Sequence, residues 1–337
     1  MRLLLQKGPR ATVIKITGNS FAYIVILGTR CNSLTVEGAL PPGTLRVMGT
    51  STSFLKARLD GLCTRYDTAV ALEKDPLIVP LAYPDPLDRE VAAFVAAHLA
   101  YGRVEPMTRA VRGALAPLGP NPAAWLRDRS EPEARNELNR ALQSWVWRFH
   151  IGSDIAAWLL AWKRLDLESG EGLELHLIPR NDEDPDTSLS RLVQRLRLEL
   201  PTTYGARFSL PDPQEGAACK RWRMFLRWMA RTGWPDLGLW TRYPVDRLVI
   251  PLDTHVARVA RFIGLTRRAT PDGKMAREIT DALRRLDPQD PLRYDFALSH
   301  LGILGDCPGV RKRSTCAECP LYSVCRAGSE STARSSR

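Results

Sequence analysis

Apolar residues recur at helical spacing through most of the chain after Ser53. In residues 54–62, for example, Phe54, Leu55, Leu59 and Leu62 form one stripe along a helix. The same period predicts further amphipathic helices after Asp85 or Asp88, over residues 188–200, from about residue 217, after Asp253, over residues 275–286 and after a cap at Asp290. This pattern predicts an all-α fold for the region that follows the first 50 residues.

The first 50 residues follow a different pattern. They contain no acidic residue before Glu37, and two apolar runs, residues 13–16 and 21–27, favour short strands. No single apolar core with a cleavage site follows a basic start, so a signal peptide is not indicated. We expect a poorly ordered N-terminal extension, or a misassigned start with Met48 as the true first residue.

Capping signals place several helix ends. Asp85 and Pro86 suit the start of one helix, which would end near Gly102. The turn that follows, Tyr101 to Arg103, combines an aromatic ring with a cation and is interpreted as a helix stop or as a DNA-facing loop. Residues 136–164 hold Trp145, Trp147, Trp158 and Trp162, which we interpret as core of a helical bundle rather than as base-stacking groups.

Composition narrows the classes of partner. Forty-eight Lys and Arg against thirty-seven Asp and Glu give a net charge of +11, which favours polyanions such as DNA. No apolar run approaches the ~18 residues of a membrane span, so no membrane association is expected. Four of the seven cysteines crowd near the C-terminus, which favours a reducing compartment and a metal site over disulfides.

The helix from about residue 217 to 231 carries candidate chemistry. At about 100° per residue, Trp222, Phe225 and Met229 are predicted to face the core. The opposite face then holds a lysine with soft and cationic neighbours, a set that suits a nucleotide: Lys220, Met224, Arg227, Trp228 and Arg231. The alternative is a surface helix with a snorkelling lysine.

Asp253 opens a later helix that ends at Gly264. As an N-cap it would accept hydrogen bonds from free backbone N–H groups, which alone explains an aspartate there. The same position would also hold an ionised carboxylate fixed in space. His255 is interpreted as a packing or backbone-bonding residue.

The C-terminal loop has the spacing C-x8-C-x2-C-x5-C, formed by Cys307, Cys316, Cys319 and Cys325. Four thiolates hold either zinc or a [4Fe–4S] cluster. A single C-x2-C pair flanked by more distant cysteines favours the cluster, with zinc as the alternative. Between the first two cysteines, the cations Arg311, Lys312 and Arg313 suit contact with a phosphate backbone.

The segment from Asp253 to the four-cysteine loop resembles the endonuclease-III branch of the helix-hairpin-helix DNA glycosylases. That branch has six residues in the first cysteine gap, whereas eight occur here, and its hairpin motif before the aspartate is missing. The wider gap between lysine and aspartate is similar to that of archaeal 8-oxoguanine glycosylases, whose catalytic lysine lies on a K-x3-F-x2-K helix. In this sequence Lys220, Met224 and Arg227 occupy the corresponding positions, with Met and Arg as substitutions. The text from about Phe54 to Cys325 also resembles a bacterial domain family of unknown function.

The resemblance implies a two-lobed, all-α, helix-hairpin-helix glycosylase-like fold. Residues 85–248 would form a helical barrel, residues 53–84 and 249–326 the cluster-bearing lobe, and residues 327–337 a disordered tail. It also implies a bifunctional DNA glycosylase and AP lyase, with Lys220 as nucleophile and Asp253 as its partner. Met224, Arg227, Trp228, Tyr101 and the three loop cations would contact DNA.

The expected substrate is double-stranded DNA that contains an oxidised purine such as 8-oxoguanine. We expect a monomer in the bacterial cytoplasm, associated with the nucleoid. Two other hypotheses are a non-catalytic nucleic-acid-binding protein with an iron–sulfur or zinc staple, and a zinc-stabilised enzyme with another substrate.

Overall fold

The computed structural model describes four strands between Arg2 and Glu37, residues 52–181 and residues 183–327. The chain divides into two units, Met1–Thr50 and Ser51–Arg337. The interpretation of residues 328–337 as a disordered tail and of Met48 as a start lies outside the described residues.

The first unit contains an antiparallel sheet with strand order β1-β2-β3-β4. Its strands are β1 (Arg2–Lys7), β2 (Ala11–Gly18), β3 (Phe21–Gly28) and β4 (Leu34–Glu37). Ile14 pairs with Leu5 on one side and Val25 on the other. Both apolar runs that favour strands lie in this sheet, in β2 and β3. The expectation that residues 1–50 form a poorly ordered extension stays a prediction.

The second unit is mostly helical, as the spacing of apolar residues predicts. Its helices are α1 (Thr52–Tyr66), α2 (Ala69–Leu72), α3 (Pro86–Leu99), α4 (Val104–Leu115), α5 (Pro122–Asp128), α6 (Glu131–Ala141), α7 (Gly152–Ser169), α8 (Glu174–Leu177), α9 (Pro185–Glu199), α10 (Tyr204–Phe208), α11 (Lys220–Ala230), α12 (Thr254–Phe262), α13 (Gly273–Arg284), α14 (Asp295–Ile303) and α15 (Arg313–Cys316). A short hairpin, β5 (Val146–Trp147) and β6 (His150–Ile151), separates α6 from α7.

Local chemistry explains several helix starts. Asp85 caps α3 by accepting from Leu87 N and Asp88 N, and Pro86 takes the first turn as predicted. The predicted cap at Asp290 is wrong, since α14 begins at Asp295. The Asp290 carboxylate accepts from the Arg231 guanidinium instead, in a charge-assisted tertiary contact.

Residues 136–164 are not continuous helix. The hairpin interrupts them, and Trp145 and Trp147 beside it are only half-buried. Trp158 and Trp162, on α7, are buried in the core as predicted.

Two clusters of buried apolar residues organise the second unit. The first core draws its residues from Leu77 to Leu248, with Leu292 added. The second core combines residues of α1 and α2 with residues from Val249 to Val324. The chain passes from one core to the other between Leu248 and Val249, immediately before Asp253, and this passage places Asp253 beside α11.

Candidate functional site

A polar groove of about 480 Å³ lies between elements of the two cores. This volume is in the range of small-molecule sites. The groove is lined by the turn between α3 and α4, by α11 and α14, and by α12 with its N-cap. The lining includes Tyr101, Gly102, Arg103, Lys220, Met224, Arg227, Asp253, Thr254, His255, Asp295 and Ser299. The structure therefore brings together Lys220 and Asp253, which are 33 positions apart in sequence.

Lys220 is the first residue of α11 and is half-buried. The preceding Cys219 has a left-handed backbone (φ 50°), and its thiol faces the carbonyl groups of Pro211 and Ala217. Within residues 52–181 and 183–327, the Lys220 amine has no hydrogen bond and no carboxylate partner. An unpaired amine in a groove is available to a ligand.

Asp253 is the N-cap of α12, as predicted. Its Oδ1 accepts from His255 N and Val256 N, each at 2.8 Å. Oδ2 has no hydrogen-bond partner in the described part of the chain and remains free toward the groove that Asp253 lines. One oxygen thus fixes the carboxylate in place while the other is left for chemistry.

Asp295 is a second carboxylate of the groove, which the sequence analysis missed. Its Oδ2 accepts from Arg227 Nη1, and its buried Oδ1 has no partner among the described residues. Burial raises the pKa of Asp295 to about 6, and the nearby Asp253 adds to this effect against the lowering by Arg227. The sequence feature that could have identified Asp295 is its position directly before the apolar residues of α14.

Arg227 lines the groove, but its charge is already paired. The guanidinium contacts Asp295 and lies 3.0 Å from Asp236, and all three side chains are buried. Arg231 joins the same network through Asp236 (2.7 Å) and Asp290 (2.8 Å). Arg227 therefore connects α11 to α14, and Arg231 connects the end of α11 to the segment before α14, instead of forming the predicted open face.

Trp228 does not reach the groove, and its predicted role in base stacking is wrong. Its side chain is fully buried in the first core. The spacing argument failed because α11 is covered on two sides, by the first core and by the arginine–aspartate network. Met224 is the apolar side chain of the predicted set that does line the groove.

The turn after α3 forms one rim of the groove. Tyr101 is half-buried, and its hydroxyl lies 2.7 Å from His150 Nδ1, while His150 Nε2 lies 2.9 Å from Ser209 Oγ. Burial lowers the pKa of His150 to about 4, so its ring is neutral at pH 7 and links the hydroxyl groups of Tyr101 and Ser209. Arg103 is exposed at the rim.

All four C-terminal cysteines line one pocket. Each is a free, half-buried thiol, and the remaining lining is mainly apolar, with Val259, Phe262 and Leu321. No three His, Cys, Asp or Glu side chains of residues 52–181 and 183–327 converge on a single metal ion. The four thiols therefore share one pocket, and the group it takes, an iron–sulfur cluster or zinc, stays a prediction.

The cations of the cysteine loop are not equivalent. Arg311 Nη2 donates to the carbonyl groups of Cys325 (2.8 Å) and Tyr322 (3.3 Å), and the guanidinium lies 4.7 Å from the Tyr322 ring centroid. This side chain binds the loop to itself, contrary to the predicted phosphate contact. Lys312 is half-buried and Arg313 is exposed.

These features define a helical protein with a polar groove between two hydrophobic cores and a four-thiol pocket near its C-terminus. The chain belongs to the family described as "Protein of unknown function (DUF2400)", whose model matches residues 75–304. The matched range includes Lys220, Asp253 and Asp295 and ends before Cys307. No curated protein and no solved structure matches the chain. Among the described helices, none is long and apolar enough to cross a membrane.

Proposed function

We propose that this protein is a DNA glycosylase with AP-lyase activity that removes a damaged base, with an oxidised purine such as 8-oxoguanine as the expected substrate. The observation that carries the proposal is the groove in which an unpaired lysine amine, Lys220, and a capped aspartate, Asp253, share one lining. An amine nucleophile beside a fixed carboxylate is the pair that Schiff-base chemistry at a sugar carbon requires.

In the proposed reaction, the neutral Lys220 amine attacks C1′ of the nucleotide. The glycosidic bond breaks and the base leaves with a proton. Opening of the sugar ring then gives a protonated imine between Nζ and C1′. In the β-elimination, water takes a proton from C2′, a C2′–C3′ double bond forms, and the C3′–O bond breaks so that the 3′ phosphate leaves. Asp253 Oδ2 would accept the amine proton and stabilise positive charge that develops on the sugar.

The base must leave the duplex to reach such a groove, at a cost of a few kcal/mol. Met224, which lines the groove, would pack against the flipped base in place of Trp228, which is buried in the first core. Asp295 Oδ1, buried and without a partner in the described chain, would accept a hydrogen bond from the base.

For the cysteine pocket we propose a [4Fe–4S] cluster held by Cys307, Cys316, Cys319 and Cys325, with zinc as the alternative. Such a cluster would cross-link the loop and stabilise its fold. It would not take part in base excision. Backbone N–H groups would stabilise thiolates bound to either group, since Lys312 N lies 3.4 Å from Cys316 Sγ and Ala327 N lies 3.5 Å from Cys325 Sγ.

Borohydride trapping tests the enzyme proposal. A duplex with 8-oxoguanine is incubated with the protein and sodium borohydride, and a covalent adduct is expected because the reagent reduces the imine. Lys220→Gln should abolish the adduct. Lys274→Gln is the matched control, since Lys274 is exposed on α13, and it should leave trapping unchanged.

A second lysine of the groove serves as an alternative nucleophile in the trapping experiment. Lys74 also lines the groove, where its amine lies 3.6 Å from Glu105. Loss of trapping in Lys74→Gln, with trapping retained in Lys220→Gln, would assign the nucleophile to Lys74 and contradict our choice. Absence of an adduct with every oxidised purine tested would contradict the enzyme proposal itself.

The second candidate is a non-catalytic nucleic-acid-binding protein. The observation that favours it is the cap geometry, since two backbone hydrogen bonds to Asp253 Oδ1 account for the aspartate without catalysis. Under this hypothesis the protein binds duplex DNA at low salt and yields no borohydride adduct. The substitution Lys220→Gln then lowers the affinity for DNA only by the contribution of one positive charge.

A further inference from the structure

Four aromatic rings form a surface cluster beside the groove. We call Tyr101, Phe149, Tyr204 and Phe208 the aromatic platform. Phe149 contacts the other three, with ring centroids 6.0 Å from Tyr101, 5.2 Å from Tyr204 and 5.0 Å from Phe208. Phe149 is 44% exposed and Tyr204 is 67% exposed, so two large rings of the cluster present apolar surface to solvent.

The platform is held in place by buried polar contacts. Asp154, fully buried at the start of α7, accepts from Ile151 N on the hairpin and from the Thr203 hydroxyl at the start of α10. Gly205 permits the close approach of these elements, because a Cβ there would lie 2.4 Å from the Phe149 carbonyl oxygen. The exposed rings therefore stand on a fixed base, which limits the entropy lost when a partner stacks on them.

The surroundings of the platform are cationic. The Arg221 guanidinium lies 4.0 Å from the Phe208 ring centroid. In sequence, Arg148 directly precedes Phe149, Arg207 directly precedes Phe208, and Arg103 follows Tyr101 by two positions. In the described part of the chain none of the three arginines has a carboxylate partner. The Arg148 guanidinium also packs on Gly102, 3.1 Å from where a Cβ would stand, and so connects the hairpin to the groove rim. Aromatic faces among unpaired arginines complement nucleobases and phosphates.

We propose that the aromatic platform stacks unpaired nucleobases of DNA as the strand leaves the groove. Tyr101 belongs to both surfaces, which makes them continuous. The inference rests on the proposed function, because it takes DNA as the occupant of the groove. It adds that single-stranded or locally opened DNA binds more tightly than an intact duplex, since only unpaired bases expose their faces.

Fluorescence anisotropy with short, unmodified oligo(dT) strands and with a matched duplex tests this inference. All proteins carry Lys220→Gln, so that no covalent step contributes. Loss of one base–aromatic stack weakens binding by at least about fivefold. We expect the double substitution Phe149→Ala and Tyr204→Ala to weaken single-strand binding at least tenfold and to change duplex binding much less. Leu198→Ala is the control, because Leu198 is 90% exposed on α9 and should have no effect.

Tyr204→Ala alone keeps the test independent of folding, since a ring that is 67% exposed leaves little packing behind. It should reduce single-strand affinity several-fold in a protein with unchanged helical circular dichroism. Equal single-strand affinity in all variants would overturn the inference. So would a change in oligomeric state without a change in DNA binding, which would identify the platform as a contact between copies of the chain.

The two proposals fail separately. Loss of single-strand binding in the platform variants, combined with no borohydride adduct in the protein with Lys220 intact, would retain the platform and remove the enzyme. If the platform variants bind single strands normally and form the adduct as well as the protein with an intact platform, the enzyme proposal is retained and the platform proposal is removed.

Discussion

Arg227 and its two aspartates show how single residues support the groove. The guanidinium and both carboxylates are buried, so the charges are stable only as a set. Asp295 belongs to this set and also lines the groove, where its second oxygen has no partner among the described residues. Stability of the fold and polarity of the site thus depend on the same side chain.

We expect Arg227→Met to lower the free energy of unfolding by about 3–5 kcal/mol, because it leaves the carboxylates of Asp236 and Asp295 buried without their cation. Arg135→Met is the control, since the Arg135–Glu131 pair is exposed on α6 and such pairs contribute about 0–1 kcal/mol. Urea denaturation of both variants measures the difference. Equal losses would contradict the view that the network holds α11 in place.

Glu90 provides a pH-dependent prediction. It accepts from Trp162 Nε1 (2.9 Å), Trp240 Nε1 (2.7 Å) and Leu173 N (2.8 Å), and burial raises its pKa from 4.5 to about 7. Because the pKa is higher in the folded protein, the contribution of Glu90 to stability is largest below pH 4.5 and falls as pH rises toward 7. A difference of one between the pKa values of the folded and unfolded states corresponds to about 1.4 kcal/mol of unfolding free energy.

In Glu90→Gln this pH dependence should disappear. Between pH 5 and 8 the unfolding free energy of the wild type should fall by up to about 3 kcal/mol more than that of the variant. The variant itself should be less stable, since an amide N–H would face one of the three donors. Guanidinium denaturation at both pH values tests this, and parallel changes in the two proteins would show that Glu90 titrates normally.

At the scale of elements, α11 and the cysteine loop show two ways of fixing a segment. Packing on two sides holds α11, which turns Trp228 inward and leaves Lys220 and Met224 at the groove. The loop after α14 has few buried side chains of its own, namely Leu321 and Val324. A short loop with so little core is the kind of segment that a metal group stabilises.

We expect the purified protein to be brown, with broad visible absorbance and iron bound. Cys319→Ser should reduce the iron content and the absorbance strongly. Cys63→Ser should retain both, because Cys63 lies outside the pocket and its thiol faces the Arg293 carbonyl. Metal analysis that finds one zinc and no iron would assign the alternative, and a metal-free, stably folded protein would contradict both.

At the scale of the whole molecule, charge governs the proposed partner. The net charge of +11 favours polyanions, and the affinity for DNA should fall with salt. Each phosphate contact contributes about 0.9 to the slope of log affinity against log salt concentration. The groove rim, with the exposed Arg103, is one place where such a contact is expected.

Arg103→Gln should therefore reduce the salt slope of duplex binding by about one. Arg135→Gln, on an exposed face paired with Glu131, should leave the slope unchanged. Anisotropy titrations over a range of salt concentrations measure both. An unchanged slope in Arg103→Gln would remove the rim from the DNA-binding surface.

The sequence by itself determined the local features of this protein. The helical period, the caps at Asp85 and Asp253 and the clustering of the four cysteines depend on neighbours within a few residues, so their signals are present in the sequence. Only the tertiary structure decided what depends on distant partners. Arg227, Trp228 and Asp290 took their positions from residues far along the chain, because burial and ion pairing outweigh helical spacing. The meeting of Lys220, Asp253 and Asp295 in one groove was decided in the same way, by the packing of two cores against each other.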